Sequence, residues 1–584
     1  MHAVARATHV LVNATHDQLE SSQRGKVDTH NQSTLATVED TLPAGARKLQ
    51  TTHPPVTLAT GTSCSNVIPG LFRQSRGVDV SRLELMPLDM MESEDGFRSP
   101  VIEFTCDKGN TRPIGGVAYD QPDQVWLVSN IPSGSMTGSV QIMTNTNEVR
   151  ESFDAHAGVG VNTRKFAFSA SSSYSKVQNT VLKKEKNAES LGATFSSRQI
   201  ELQHVDVLAL GVDAQVAGSS LISLRFISQF GTHYISEAKF GGLMMIYTET
   251  NAIYQETHDE ETVSTQVTAV FGQALEAKGG TSSSTATIDS TFTSSSTETI
   301  RYFGGEANLM VSDGLAQWQP TIDTNPWLFS TKLVRISELI RDSSKKVAMS
   351  QAIDDYLMRQ YVTVELVRVL DTLPPTAQTY PEVADLRKRI DEMSKKYPLV
   401  ESEVVALGED VDYWYRMLLI RYDNSMAEYT KPNNYDGELN VTCPASKTIT
   451  AIKSWHSNYY EDRQWQFRCS YTPGLRPLSN CRWTDYVNSF DGDLNYKCPG
   501  SSAIKGWYSV HSSYYEDRRH KFMCCEFPGL SESVCKWDEN YQNSMDGGMD
   551  VVYTPSKQLL RGAYSYHSNH YEDRRWKFEV CDAE

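Results

Sequence analysis

Phe230-Gly231-Thr232-His233-Tyr234-Ile235-Ser236-Glu237-Ala238-Lys239-Phe240-Gly241-Gly242 is the stretch that decides the fold. It places an aromatic before Gly-Thr-His, a second aromatic after it, then six residues and paired glycines. Arg225-Phe226-Ile227 and Leu243-Met244-Met245-Ile246-Tyr247 read as strands on either side. Glycine at 231, 241 and 242 permits conformations or close backbone approaches that a side chain forbids. No Cys, Asp or second His stands at metal spacing around His233, so it reads as a hydrogen-bonded structural histidine.

This pattern resembles the signature of the membrane-attack-complex/perforin (MACPF) family. The resemblance runs over about residues 60–360. It takes in Arg301-Tyr302-Phe303-Gly304-Gly305, Ile336–Ile340 and Ala352–Leu357, which look like the family's closing strand and terminal helices. It implies oligomeric pore formation, with Gly241 and Gly242 at a sheet bend where a hinge moves. It also implies that the regions flanking the signature refold into two membrane hairpins per subunit.

A bilayer-spanning strand needs about 9–11 residues of alternating polarity. Phe153, Ala155, Ala157, Val159 and Val161 form one apolar face opposite Asp154, His156, Gly158, Gly160 and Asn162. Leu191, Ala193 and Phe195 continue in that style after the basic stretch Lys183-Lys184-Glu185-Lys186. Beyond the signature, Val263, Thr265, Val267, Ala269 and Phe271 alternate with Ser264, Gln266, Thr268 and Gly272, although Val270 breaks the polar face. The fourth segment, Ala286 to Ile300, is mostly Ser and Thr, with Ile288 and Phe292 among its few apolar side chains. On periodicity alone these are half-buried strands or amphipathic helices; their placement around the signature makes them candidate inserting strands.

The rest of the chain constrains how such a protein reaches a membrane. A formal net charge of -17 opposes binding to nucleic acid and simple electrostatic capture by an anionic bilayer. No run of eighteen apolar residues exists, so a closed β-barrel is the spanning structure left open. Residues 1–58, rich in Thr, His, Gln and Ser, read as a disordered leader, pro-segment or incorrectly assigned start. Their apolar run His9-Val10-Leu11-Val12 is too short for a signal peptide.

The last quarter repeats itself. Tyr435-Asp436-Gly437, Phe490-Asp491-Gly492 and Met545-Asp546-Gly547 recur at steps of 55 residues. Each unit closes on a related segment: YYEDRQWQF from Tyr459, YYEDRRHKF from Tyr514 and HYEDRRWKF from His570. A His-Ser pair precedes each close, at His456, His511 and His567. Such units read as short β-meanders in a pseudo-threefold all-β domain.

The cysteines pair within this register. Cys443 and Cys469 occupy the positions of Cys498 and Cys524, and both positions change together in the third unit, to Tyr553 and Val580. Cys481 with Cys525 recurs as Cys535 with Cys581, and both are missing from the first unit, as Met426 and Ser470. Four bridges follow, leaving Cys64 and Cys106 for a fifth, which favours an oxidising, secreted setting. The sequon Asn440-Val441-Thr442 agrees with that setting.

These units resemble dermatopontin over about residues 425–584, which implies binding to extracellular matrix, the cell surface, glycans or a glycosaminoglycan. The candidate recognition residues are Tyr460, Arg463, Trp465, Tyr515, Arg518, His520, Tyr571, Arg574 and Trp576, with His520 departing from the tryptophans of the other units. In the first closing strand, Arg463, Trp465, Phe467 and Cys469 share one face, and Glu461, Asp462 or Asp436 is the expected partner of Arg463. A calcium loop at Asp491-Gly492-Asp493-Leu494-Asn495 lacks the glycine and bidentate glutamate it needs, so no metal or cofactor is expected.

Between the two halves, Pro381 opens a helix carrying Val383, Leu386, Ile390, Met393 and Tyr397, which Pro398 ends. The expected organisation is a leader over 1–58, a MACPF-like domain over 59–362, a helical connector over 363–424 and a dermatopontin-like domain over 425–584. The fold class is α+β: a bent antiparallel sheet flanked by helical clusters, plus a disulfide-rich all-β domain of three units. No phosphate-cradling loop, HExxH or GxSxG motif occurs, so an enzyme is not expected. The expected function is a secreted cytolysin that docks on a target-cell membrane, assembles with itself into a ring and inserts hairpins. The alternative is a non-lytic adhesion, matrix or lectin-like protein on the same scaffold.

Overall fold

The computed structural model describes residues 62–90, 95–131, 140–203, 220–281, 284, 286–554 and 557–583; the leader lies outside them. Two long antiparallel strands, Lys186–Leu202 and His233–Asn251, form the spine of the central sheet. Val125–Asn130 and Gln141–Met143 pair with the outer side of the first. Trp327–Arg335 and Ser296–Phe303 pair with successive halves of the second, and Arg76–Val78 joins at its start.

The pairing of the two long strands changes at the paired glycines. The register between the long strands shifts between Phe195 and Arg198, opposite Gly241. There the neighbour of the signature strand switches from Phe303, paired with Leu243, to Trp327, paired with Gly241. A Cβ on Gly241 would stand 2.8 Å from the Ser197 backbone, and one on Gly242 would stand 2.4 Å from Ile322 and 2.7 Å from Trp318. The paired glycines are thus required by a bulge on one face and an indole wedge on the other. Trp318 is fully buried and donates its indole N–H to the Gly304 carbonyl at 2.9 Å.

Two helical clusters interrupt the sheet. The first, Thr146–Ala157, Val161–Arg164 and Ser172–Leu182, lies between Gln141–Met143 and Lys186–Leu202. The second, Ala252–Thr257, Glu260–Glu276 and Ser290–Ser295, lies between His233–Asn251 and Ser296–Phe303. Asn145 and Asp259 cap the principal helix of each cluster through their side chains. Among the described residues, no helix is long and apolar enough to cross a membrane.

Three sequence expectations change. Arg225-Phe226-Ile227 is helical, within Ser220–Phe230; Phe226 and Phe230 meet at i, i+4 and Gly231, at φ 84°, ends the helix. The alternating run from Phe153 to Val161 is helix and turn rather than strand, and Val263–Phe271 lies inside a helix. Leu191, Ala193 and Phe195 belong to the long sheet strand, where they form the floor under the second cluster.

Helices Leu366–Asp371, Pro375–Gln378, Pro381–Ser394 and Glu401–Met426 follow the central domain. The last reaches the C-terminal domain, where Asp423 pairs with Lys447. That domain is built on three hairpins, Lys447–Ser457 with Asp462–Tyr471, Ser502–Ser512 with Asp517–Glu526, and Gln558–Ser568 with Asp573–Asp582. Short strands link them in a circle: Leu439–Thr442 pairs with the second hairpin, Leu494–Lys497 with the third, and Met549–Val552 with the first. Disulfides join Cys64–Cys106, Cys443–Cys469, Cys481–Cys525, Cys498–Cys524 and Cys535–Cys581, the pairs expected from the register.

Candidate functional site

The signature residues act as a joint between the sheet and its surroundings. Gly231 has no room for a Cβ, which would meet the Val78 backbone at 2.6 Å. Thr232 donates both its backbone N–H and its hydroxyl to the Val78 carbonyl, at 2.8 and 3.0 Å. His233 is buried, with Nδ1 2.9 Å from the Thr232 hydroxyl. Burial, with Arg335 nearby, pulls its pKa down to about 3, so the ring is neutral and structural at physiological pH. Tyr234 is buried and Phe230 half-buried beside this joint.

The principal helices of both clusters share one property. Val263, Val267, Phe271 and Leu275 are buried at successive i, i+4 positions against Leu191, Ala193, Phe195, Met244 and Ile246. In the first cluster Val149 and Ala157 are buried and Phe153, between them at the same spacing, is half-buried, packing against Phe168 and Tyr174 at 5.8 and 5.7 Å. Residues four apart share a face in a helix and also in a strand, since four is close to one helical turn and a multiple of two. One set of apolar side chains is therefore compatible with a single face in either conformation. The remaining candidates differ: Val159 is buried, Ala155, Val161 and Thr265 are exposed, and Ala269 is buried. In the fourth segment Phe292 is fully buried and Ile288 half-buried.

Ionisable groups sit beneath both clusters. His156, half-buried on the first helix, has its pKa lowered to about 4 by burial and by Lys239. Glu189, on the long strand, accepts from Thr250 at 2.8 Å and from Gln255 of the second cluster. Burial raises its pKa to about 8, so it carries a proton at neutral pH.

The first helix of the second cluster also touches the C-terminal domain. Glu256 forms a buried ion pair with Lys505 and accepts from the Ser446 backbone N–H at 2.6 Å. Burial pushes Glu256 up and Lys505 down, each toward its neutral form, against their mutual attraction. Sequence reading missed this contact because its partners lie 249 residues apart and neither stands in a motif.

The C-terminal domain divides the predicted recognition residues sharply. Trp465, Trp576 and His520 are at most 1% exposed and line the central core with Trp507, so they are corrected from surface residues to packing residues. Trp507 stands where the other hairpins carry Ile452 and Ala563, and donates its indole N–H to His520 Nδ1 at 3.0 Å. The larger neighbour thus compensates for histidine in place of tryptophan. That exchange was visible in the aligned units, since 507 is the one position of its set that carries an indole.

Arg463, Arg518 and Arg574 are also buried. Each makes a bidentate pair with an aspartate of another hairpin, Asp573, Asp462 and Asp517 respectively, at 2.5–2.7 Å. The local partners expected for Arg463 are therefore replaced by one across a seam, because the closing strands converge on a common axis. What does face solvent are the hairpin tips. Tyr459 and Tyr514 are 85% exposed, and Tyr460, Tyr515 and Tyr571 half that. Tyr460 stacks on Tyr435 at 4.6 Å and Tyr515 on Phe490 at 4.9 Å. Asn440 is exposed on its short strand.

Comparison with known proteins matches this division of the chain. The MAC/Perforin domain model matches residues 75–365, and the Dermatopontin model matches residues 433–584. The Perivitellin-2 67 kDa subunit of Pomacea canaliculata is 32% identical over 342 residues, which are 57% of this chain and 60% of that protein. The chain thus spans less than two thirds of this relative. The Hemagglutinin/amebocyte aggregation factor of Limulus polyphemus is 44% identical over 152 residues, 26% of this chain and 85% of that protein. Millepora cytotoxin-1 of Millepora dichotoma is 37% identical over 155 residues, 26% of this chain and 66% of that protein.

Proposed function

Because the chain belongs to the MAC/Perforin family through residues 75–365 and to the dermatopontin family through residues 433–584, we propose that it is a secreted pore-forming cytolysin. The C-terminal domain attaches it to a glycan or glycosaminoglycan of a target cell, using the exposed Tyr459, Tyr460, Tyr514, Tyr515 and Tyr571 at the hairpin tips. Copies assemble side by side into a ring. Each then extends its two helical clusters into hairpins that continue the sheet, bending about Gly241 and Gly242. A closed barrel satisfies every backbone group in lipid and buries the apolar stripe of each segment there.

The observation that supports this reading is the i, i+4 apolar stripe of each principal helix, which would also fall on one face of a strand. Each cluster lies between strands that are already antiparallel neighbours in the sheet or adjacent to one, and its apolar residues keep a common face when extended. A cysteine pair replacing Ala157 and Thr331 tests it, since the Thr331 hydroxyl donates to the Ala157 carbonyl at 2.6 Å. Oxidised, this variant should bind red cells without lysing them, and mild reductant should restore lysis while leaving the unmodified chain unchanged. Full lysis by the locked form sinks the hairpin model.

One observation favours a second reading, a non-lytic adhesion protein. Ala286–Ile300 offers few apolar side chains for a membrane face. Agglutination of cells with no dye leakage at any dose would select that reading.

A further inference from the structure

The seams between the C-terminal hairpins hold three equivalent groups of side chains, made of Asp436, Asp462 and His511, of Asp491, Asp517 and His567, and of Asp546, Asp573 and His456. In each, one imidazole nitrogen and two carboxylate oxygens lie within 4.8 Å of one another. The Nδ1 atoms of His511, His456 and His567 stand 3.3, 3.5 and 3.6 Å from carboxylate oxygens of Asp436, Asp546 and Asp491. All three imidazoles are at most 1% exposed.

The polar surroundings of these rings are incomplete. Neither ring nitrogen of His511 makes a hydrogen bond, and Nε2 of His567 makes none. His511 Nε2 faces Glu516 at 3.7 Å and His567 Nε2 faces Glu572 at 3.6 Å. Nδ1 of His567 and of His456 has long contacts to Asn569 and Asn458, and His456 Nε2 to the Glu572 carbonyl. Buried imidazoles normally satisfy their nitrogens.

The spacing suits a shared cation better than a hydrogen bond. Nitrogen and oxygen ligands bound at about 2.0–2.2 Å in a tetrahedron lie roughly 3.3–3.6 Å apart. Asp462 accepts from Arg518 twice and from the Asp436 N–H, which uses three of about four lone-pair sites on its carboxylate. In the first seam Asp436 and Glu516 flank His511 while Asp462 pairs with Arg518, and in the second Asp491 and Glu572 flank His567 while Asp517 pairs with Arg574. Two disulfides already tie neighbouring hairpins: Cys443, beside the second hairpin, bonds Cys469 of the first, and Cys498, beside the third, bonds Cys524 of the second, whereas the corresponding positions in the third unit are Tyr553 and Val580.

We propose that each seam binds one divalent transition-series cation through its histidine and two aspartates, and that the three ions staple the hairpins into a circle. An imidazole beside carboxylates selects a zinc-like ion over calcium, which prefers oxygen ligands throughout. The proposal is independent of pore formation.

The test uses the full chain freed of metal by a chelator and then titrated with zinc or calcium by calorimetry, with thermal unfolding followed in parallel. About three zinc ions should bind per chain and raise the melting temperature of the C-terminal domain. His511→Gln should reduce the number to about two. Asp436→Asn serves as the second variant, because Asn tolerates the positive φ of 59° at that position and keeps its backbone N–H. It too should lose one ion. No saturable zinc uptake, uptake unchanged in both variants, or calcium bound in place of zinc would each overturn the assignment.

Discussion

The two helical clusters and the three C-terminal hairpins bury comparable side chains by different means. The clusters are held mainly by apolar stripes lying on a sheet, a force that has no direction. The hairpins are held by disulfides and by bidentate arginine–aspartate pairs between units, whose geometry admits one arrangement. Non-directional burial can be exchanged for burial elsewhere at little cost. Buried ion pairs cannot, because separating them strands charge. Under the proposed function this contrast would confine rearrangement to the central domain and leave the C-terminal domain as the fixed part.

The largest effect should come from breaking that fixity. Asp462→Ala leaves Arg518 buried without its partner and should cost about 3–5 kcal/mol, seen as a lowered melting transition of the C-terminal domain in calorimetry. An unchanged transition would remove the contrast between the two regions.

The contact joining them comes next. Lys505→Met should destabilise the junction by about 3 kcal/mol and expose Ala252–Thr257 to limited proteolysis, since Glu256 then stays buried without its cation. The double change Lys505→Met with Glu256→Gln should recover most of that loss. Equal sensitivity of the single and double variants would show that packing, not charge, holds the helix.

The smallest effects separate one cluster from the other by pH. Packed, His156 titrates at about 4, against an ordinary 6.5. A freed first cluster therefore binds more protons between those values, and lowering the pH through that window favours release by about 2 kcal/mol after allowance for partial exposure. Glu189 works in the opposite sense. Its packed pKa of about 8 exceeds the ordinary 4.5, so lowering the pH from 8 to 4.5 holds the second cluster down. Hydrogen exchange measured at pH 5 and pH 8 should show the first cluster loosening and the second tightening on acidification. His156→Gln and Glu189→Gln should each flatten one response and leave the other; a common response in both clusters would count against independent control.

Much of this was legible in the chain. The paired glycines, which the family resemblance assigned to a bend, stand at the register shift, where a Cβ on Gly241 would meet the Ser197 backbone and one on Gly242 the Ile322 and Trp318 side chains. The register of the C-terminal units gave the disulfide pairs, because bonded cysteines appear and vanish together. Tertiary structure alone decided the rest. Whether Val263–Phe271 is helix or strand cannot be read from its stripe, since residues four apart share a face in both, and only the floor of Leu191, Ala193 and Phe195 selects the helix here. Trp465 and Trp576 looked like surface aromatics until three closing strands met on one axis and buried them. Arg463 found Asp573 rather than its sequence neighbours, and Lys505 found Glu256, because pairing depends on distance in space and local patterns record only distance along the chain.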